Sequence, residues 1–145
     1  MEAHPISNGM KKKLLLIFIL SFAFNLIWEN LHAPLYYLPS GESISQAMLL
    51  RATIFDALFI TILGFTFLSF PYFRKRPRHS VLIGILVSTI IEMWAIGSQR
   101  WAYTSAMPLI PFLGVGLTPT IQLGFLAYVI FKIVGLGKVK YADKS

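Results

Sequence analysis

Four apolar stretches, each reaching or nearly reaching the ~20 residues that a bilayer-crossing helix needs, constrain this chain most. They cover about 14–32, 44–72, 80–99 and 112–134. Hydrophobic residues make up 56% of the sequence and charged residues only 13%, about half the ~25% usual in soluble domains. The first stretch follows Lys11-Lys12-Lys13, as the apolar run of a signal peptide would. No small-x-small cleavage pattern follows it, and Trp28-Glu29-Asn30 interrupts its end, so a retained helix is expected.

The net charge of +7 does not point to nucleic acid, because the cations sit at segment ends. One group is Lys11, Lys12 and Lys13, and a second is Arg74, Lys75, Arg76 and Arg78. The third is Lys132, Lys138, Lys140 and Lys144, which leaves only Arg51 and Arg100 at the opposite ends. Four spans with both termini cytoplasmic satisfy the positive-inside pattern throughout. The expected fold is therefore all-α: a polytopic membrane protein with one four-transmembrane-helix domain over 1–145, in the cytoplasmic membrane. Anionic lipid is an expected neighbour of its basic ends. The sequence has no cysteine, which excludes disulfides, thiolate metal sites and thiol nucleophiles.

The two outer connections, 32–50 and 99–111, are rich in aromatic residues and proline. Such segments lie at the interface or fold back over the helix ends. Within the first, Ser43 and Gln46 have the spacing of a capping box that would open the second helix early.

Against this background three carboxylates stand out: Glu29, Asp56 and Glu92 lie inside hydrophobic segments of a chain with only six acidic residues. A charge in hydrocarbon is costly, so such residues face a protein interior or polar cavity and mark function. Topology gives them a depth. Asn25, Glu29 and His32 fall in the outer half of the first helix. Asp56 is about 7–8 Å below Arg51 at 1.5 Å per residue. Glu92 is past the middle of the third helix, with Gln99 and Arg100 at its mouth, and Thr118, Thr120 and Gln122 occupy the outer half of the fourth. The inner halves are almost purely apolar. One outward-facing intramembrane pocket explains this distribution.

Helical faces support the pocket. Asn25, Glu29 and His32 lie within roughly 60° of one another. Ser88, Glu92 and Gln99 form a similar stripe, as do Gly114, Thr118 and Gln122, with Pro119 expected to loosen the fourth helix. The candidate catalytic residues are Glu29, Asp56, Glu92 and His32. The candidate ligand-binding residues are Asn25, Trp28, Trp94, Arg100, Trp101, Tyr103, Thr118 and Gln122. Plainer readings stand beside these. Buried Asn, Thr and Gln also join helices, His32 suits an interface, and Glu29 and Glu92 could pair with Arg51 and Arg100 as a lock. Asp56 could be a hydrated helix-start residue, and the aromatic residues could form an interfacial belt.

The segment Asn25-Leu26-Ile27-Trp28-Glu29 leads to Pro34-Leu35-Tyr36. Further along come Trp101-Ala102-Tyr103, then Ala106-Met107-Pro108, Pro111 and Gly114-Val115-Gly116-Leu117-Thr118-Pro119. Together they resemble a family of small prokaryotic four-span membrane proteins with no assigned activity. This resemblance covers most of the chain and implies fold and topology alone. The Asn-x-x-Trp-Glu segment, about five residues long, is also similar to one in the fungal integral membrane terpene cyclases. There a glutamate and a distant aspartate handle protons. Glu29 matches the glutamate and Asp56 is a candidate for the aspartate, but those enzymes have about seven spans.

Three function classes follow. The first is proton-transfer catalysis, as an isomerase or cyclase, on an isoprenoid or other lipid-soluble substrate. In it Glu29 is the acid, Glu92, Asp56 or His32 the partner, and Trp28, Trp94 and Trp101 the lining. The second is binding or transport, including a divalent metal held by Glu29-x-x-His32 with Asp56 and Glu92. The third is a non-catalytic accessory subunit, in which buried polar groups serve helix association and homo-oligomerisation. No motif implies a cofactor, and nothing suggests nucleotide or nucleic-acid chemistry.

Overall fold

The computed structural model describes residues 7–137, so Lys138, Lys140 and Lys144 of the basic C-terminal tail lie outside the described residues. Helix α1 covers Asn8–His32 and runs into a 3-10 turn, Ala33–Leu35, and a short strand β1, Tyr36–Tyr37. Then come α2, Gln46–Ser69; a single turn α3, Pro71–Arg74; α4, His79–Gly97; strand β2, Ala102–Tyr103; and α5, Leu117–Ile133. Helices α1, α2 and α4 are long and apolar enough to cross a membrane. Helix α5 is equally apolar but has 17 residues, about 25 Å at 1.5 Å per residue.

Local chemistry accounts for the helix ends. The Ser7 hydroxyl accepts from the Met10 amide, so α1 opens ahead of the three lysines. Ser45, not Ser43, caps α2 by accepting from the Met48 amide at 3.4 Å. Helix α2 stops at Ser69 because Phe70 precedes Pro71 and takes an extended conformation, φ −104° and ψ 117°, as a residue before proline does. Residues 112–116, expected to be helical, form the end of a turn instead. Phe112 and Gly114 both have φ of 68°, and Ile110 donates its amide to the Val115 carbonyl. Pro119 therefore falls in the first turn of α5, where a missing N–H costs nothing and no kink results.

The four long helices pack chiefly in two pairs. Helices α1 and α2 pack along each other, α4 packs along α5, and α1 and α2 both touch α5. The α4–α5 crossing is close because Gly84 meets the backbone of Gly124. Toward the basic end the interior is apolar, built from Ile17, Ile60, Leu63, Phe67, Leu123, Ile130 and Phe131. The Phe67 and Phe131 ring centroids are 5.2 Å apart. At the opposite end β1 and β2 form a two-stranded antiparallel pair, with Tyr36 opposite Tyr103 and Tyr37 opposite Ala102. This pair ties the two connections together over the helix ends.

The outer faces are apolar. Leu82, Leu86 and Ile90, spaced four apart on α4, are 68%, 63% and 58% exposed. On α2, Ile62 is 66% exposed. Water-facing surfaces rarely carry contiguous apolar stripes of this kind, whereas a lipid environment covers them.

Candidate functional site

The side-chain amide of Gln122 is the centre of the polar half. Its Nε2 lies 3.0 Å from Asn25 Oδ1, 2.7 Å from Glu29 Oε1 and 3.0 Å from Asp56 Oδ2. Helices α1, α2 and α5 thus meet at one nitrogen. Asn25 is fully buried and its own amide is committed one turn back, donating to the Ser21 carbonyl at 2.8 Å. That bond fixes its oxygen toward Gln122. A primary amide has two hydrogens, yet three acceptors surround this one. Two can be satisfied from Gln122 at any moment, and the third needs another donor. Asn25 and Gln122 are buried, while Glu29 and Asp56 keep part of their surface accessible.

Asp56 is not a helix-start residue. Because α2 begins at Gln46, Asp56 lies ten residues in, about 15 Å along the axis.

Glu92 is buried beside this node with its own donors. Its Oε2 accepts from the Tyr103 hydroxyl and, at 3.5 Å, from the Trp101 indole N–H. Trp101 and Tyr103 flank the strand residue Ala102, so their side chains share one face. Tyr36 packs on both, its ring 5.6 Å from Tyr103 and edge-on to Trp101 at 6.2 Å. Burial, followed by the hydrogen bond to Glu92, pushes the Tyr103 hydroxyl above the ordinary phenol range. Burial, followed by the Glu92 charge, does the same to Tyr36. Both phenols are therefore protonated at neutral pH, and that of Tyr103 donates to Glu92.

Among the described residues, the N–H and O–H groups of Gln122, Trp101 and Tyr103 that donate to the three carboxylates are neutral, and Glu29 and Asp56 also lie within hydrogen-bond reach of each other. The arginines that could have locked them lie elsewhere. Arg51 is exposed, and the Arg100 guanidinium is 5.1 Å from the centre of the Trp94 ring.

The candidate residues thus separate into groups. Asn25, Glu29, Asp56 and Gln122 converge, with Glu92, Trp101 and Tyr103 adjoining. His32 turns back onto its own helix, with Nδ1 3.1 Å from the Trp28 carbonyl and its ring 4.7 Å from the Trp28 ring. Trp28 packs on Phe125. Trp94 is 57% exposed under Arg100. Thr118 donates to Met107 Sδ at 3.4 Å. Gln99, past the end of α4, is exposed with φ of 56°. Among the described residues, no group of three His, Cys, Asp or Glu is placed to hold a metal ion.

Two features lie beyond the reach of the sequence pattern: Gln122 as the shared donor, and the β1–β2 pair that brings Tyr36 to Tyr103. The two-residue spacing of Trp101 and Tyr103 is the one signal of their common target. Near the node, the hydroxyls of Ser21, Thr53 and Ser88 and the indole N–H of Trp28 are buried without a partner among the described residues. Ser21 and Ser88 are one turn from Asn25 and Glu92, and Thr53 is one turn from Asp56.

Replacing Tyr103 by phenylalanine removes the better of the two Glu92 donors. A buried acceptor that loses its donor costs about 1–3 kcal/mol. The thermal midpoint in detergent should fall measurably, whereas Trp101→Phe, which deletes a 3.5 Å contact, should have a smaller effect.

Comparison with protein-family models, with curated proteins and with solved structures finds no match to this chain.

Proposed function

We propose that this chain is a multi-pass protein of the cytoplasmic membrane, crossing it four times with both termini on the cytoplasmic side. Its carboxyl node transfers protons to and from a lipid-soluble, isoprenoid-like substrate. One observation carries the reading: two carboxylates, Glu29 and Asp56, share a single amide nitrogen, a third lies beside them, and among the described residues the donors that reach them are neutral. Fixed cations would hold such groups ionised. Neutral donors leave room for a proton to reside on the node and to leave it.

In the proposed reaction Glu29, as the acid, delivers its proton to one carbon of a carbon–carbon double bond. The cation forms on the other carbon of that bond. Asp56 or Glu92, as carboxylate, removes a proton from the next carbon attached to the cationic one, whose C–H electron pair becomes the new double bond. The double bond moves by one position and the node regains its original proton count. The rings of Tyr36, Trp101 and Tyr103 could face the transient cation, and the unpartnered hydroxyls offer donors to a polar substrate group.

Solvent isotope exchange tests this even while the substrate is unidentified. The protein, reconstituted with a native isoprenoid-rich lipid extract in D2O, should place carbon-bound deuterium in the lipid fraction, read by mass spectrometry. Glu29→Gln should abolish incorporation while leaving the thermal midpoint close to that of the parent. Incorporation no greater than in protein-free vesicles, or full incorporation in the variant, would overturn the proposal.

The Gln122 hydrogen bonds also favour a second reading, because they join three helices. A non-catalytic accessory subunit would use such a node for cohesion alone. It would show no exchange and would co-purify with a partner from native membranes.

A further inference from the structure

The basic end carries a second feature, unconnected to the carboxyl node. A depression of about 370 Å³ opens between the α3–α4 connection and the end of α5. Lys75, Arg76 and Arg78 line it from the connection, and Tyr128 and Lys132 from α5. Four cations from two segments face one small volume, and among the described residues none of its lining side chains is acidic. Such crowding is unfavourable unless an anion offsets it.

The local backbone sorts the cations. Arg74 is turned away: its guanidinium donates to the Leu68 carbonyl, with Nε at 3.0 Å, and so covers the end of α2. Arg76 is steadied by the Tyr72 ring, its guanidinium carbon 4.2 Å from the ring centroid. The floor is closed by Gly137, whose amide donates to the Arg74 carbonyl at 2.9 Å. Its φ of 82° and close approach to Pro77 leave little room for a side chain. The connection and the end of α5 are thus fastened together around the depression.

A second depression, about 260 Å³, adjoins the first and shares Lys75 and Arg76 with it. Its other walls are Pro71 and Tyr72, and the nearby Phe70 and Tyr72 rings are 56% and 57% exposed. A cationic bowl bordered by Pro71, Tyr72 and the exposed Phe70 ring matches an amphiphile, with a phosphate among the cations and an acyl chain against these apolar groups. A free phosphate would use only the bowl.

We propose that this paired depression is a specific site for an anionic phospholipid of the cytoplasmic leaflet, its phosphate held by Lys75, Arg76, Arg78 and Lys132. The proposal rests on these helices lying in a bilayer, not on the proton chemistry of the carboxylates.

Native mass spectrometry of the full chain, released from phosphatidylcholine nanodiscs doped with phosphatidylglycerol, reads the site directly. The parent should retain phosphatidylglycerol. Arg78→Gln with Lys132→Gln should lower that retention about 25-fold, at roughly a factor of five for each cation removed. Both residues are exposed, and an unchanged thermal midpoint confirms folding. Lys12→Gln with Lys13→Gln removes equal charge from the same end and should change retention less than about twofold if the site is local. Glycerol phosphate, which lacks acyl chains, should not displace the lipid. Equal losses in the two double variants would replace the site with diffuse surface charge. Displacement by glycerol phosphate would make it a site for a free anion, and undiminished retention in the first variant would remove it altogether.

Discussion

Gln122→Leu is expected to lower the thermal midpoint in detergent by about 10 °C, from a loss of roughly 3 kcal/mol at the 2–4 °C per kcal/mol typical of chains this long. The loss has two parts. Side-chain hydrogen bonds between membrane helices average about 0.6 kcal/mol each, and Gln122 can donate to two of its three acceptors at a time. The larger part is what remains: Asn25, Glu29 and Asp56 would face one another with no shared donor, and buried acceptors stripped of partners cost more than the bonds contributed. The cause is separable from lost packing. Adding Glu29→Leu and Asp56→Leu to Gln122→Leu should recover much of the loss, because an apolar contact replaces unpaired acceptors. A triple variant as unstable as the single one would show that Gln122 acts through its shape, not its amide.

Periodicity and depth are what the sequence makes legible here. Glu29 and Asn25 are one helical turn apart, and counting along each helix places them at the level of Gln122. The apolar halves toward the basic end form the core around Ile60, Phe67 and Ile130. The pattern is weaker wherever a side chain can answer to its own backbone. His32 continues the Asn25–Glu29 stripe, yet its ring bonds to the Trp28 carbonyl. Thr118 finds Met107 in the connection that leads to its helix. Long-range pairing is hidden as well. Two residues of β1 meet two of β2 across the whole of 38–101, and no local pattern encodes that register. Without it Tyr103 reads as a belt residue, although its hydroxyl serves Glu92. Proline misleads by position: inside a span Pro119 would kink a helix, but at the first turn of α5 it helps start one.

Gly84→Val should be the most disruptive single substitution at a position without polar chemistry, reducing the yield of monodisperse protein severely. A Cβ at Gly84 would overlap the amide and Cα of Gly124, and one at Gly124 would sit 2.5 Å from the Val81 carbonyl oxygen. These obstacles are backbone atoms, which cannot rotate aside as a side chain can. Relief therefore requires α4 and α5 to separate along their length. Overpacking costs about 1–3 kcal/mol when neighbours can yield, and more when they cannot. Membrane helices gain little from hydrophobic exclusion and depend on close van der Waals approach, so the separated pair has nothing to replace the contact. Helix α5 is the principal neighbour of α4, so the position of Glu92 depends on the same crossing. Gly97→Ala provides the control. A Cβ there meets nothing within 4 Å, and removing glycine from a helix gains up to about 1 kcal/mol. Its thermal midpoint should equal or slightly exceed that of the parent. A Gly84→Val protein as stable as Gly97→Ala would mean that α4 and α5 do not cross at these glycines, and the placement of Glu92 beside the Gln122 node would have to be abandoned with them.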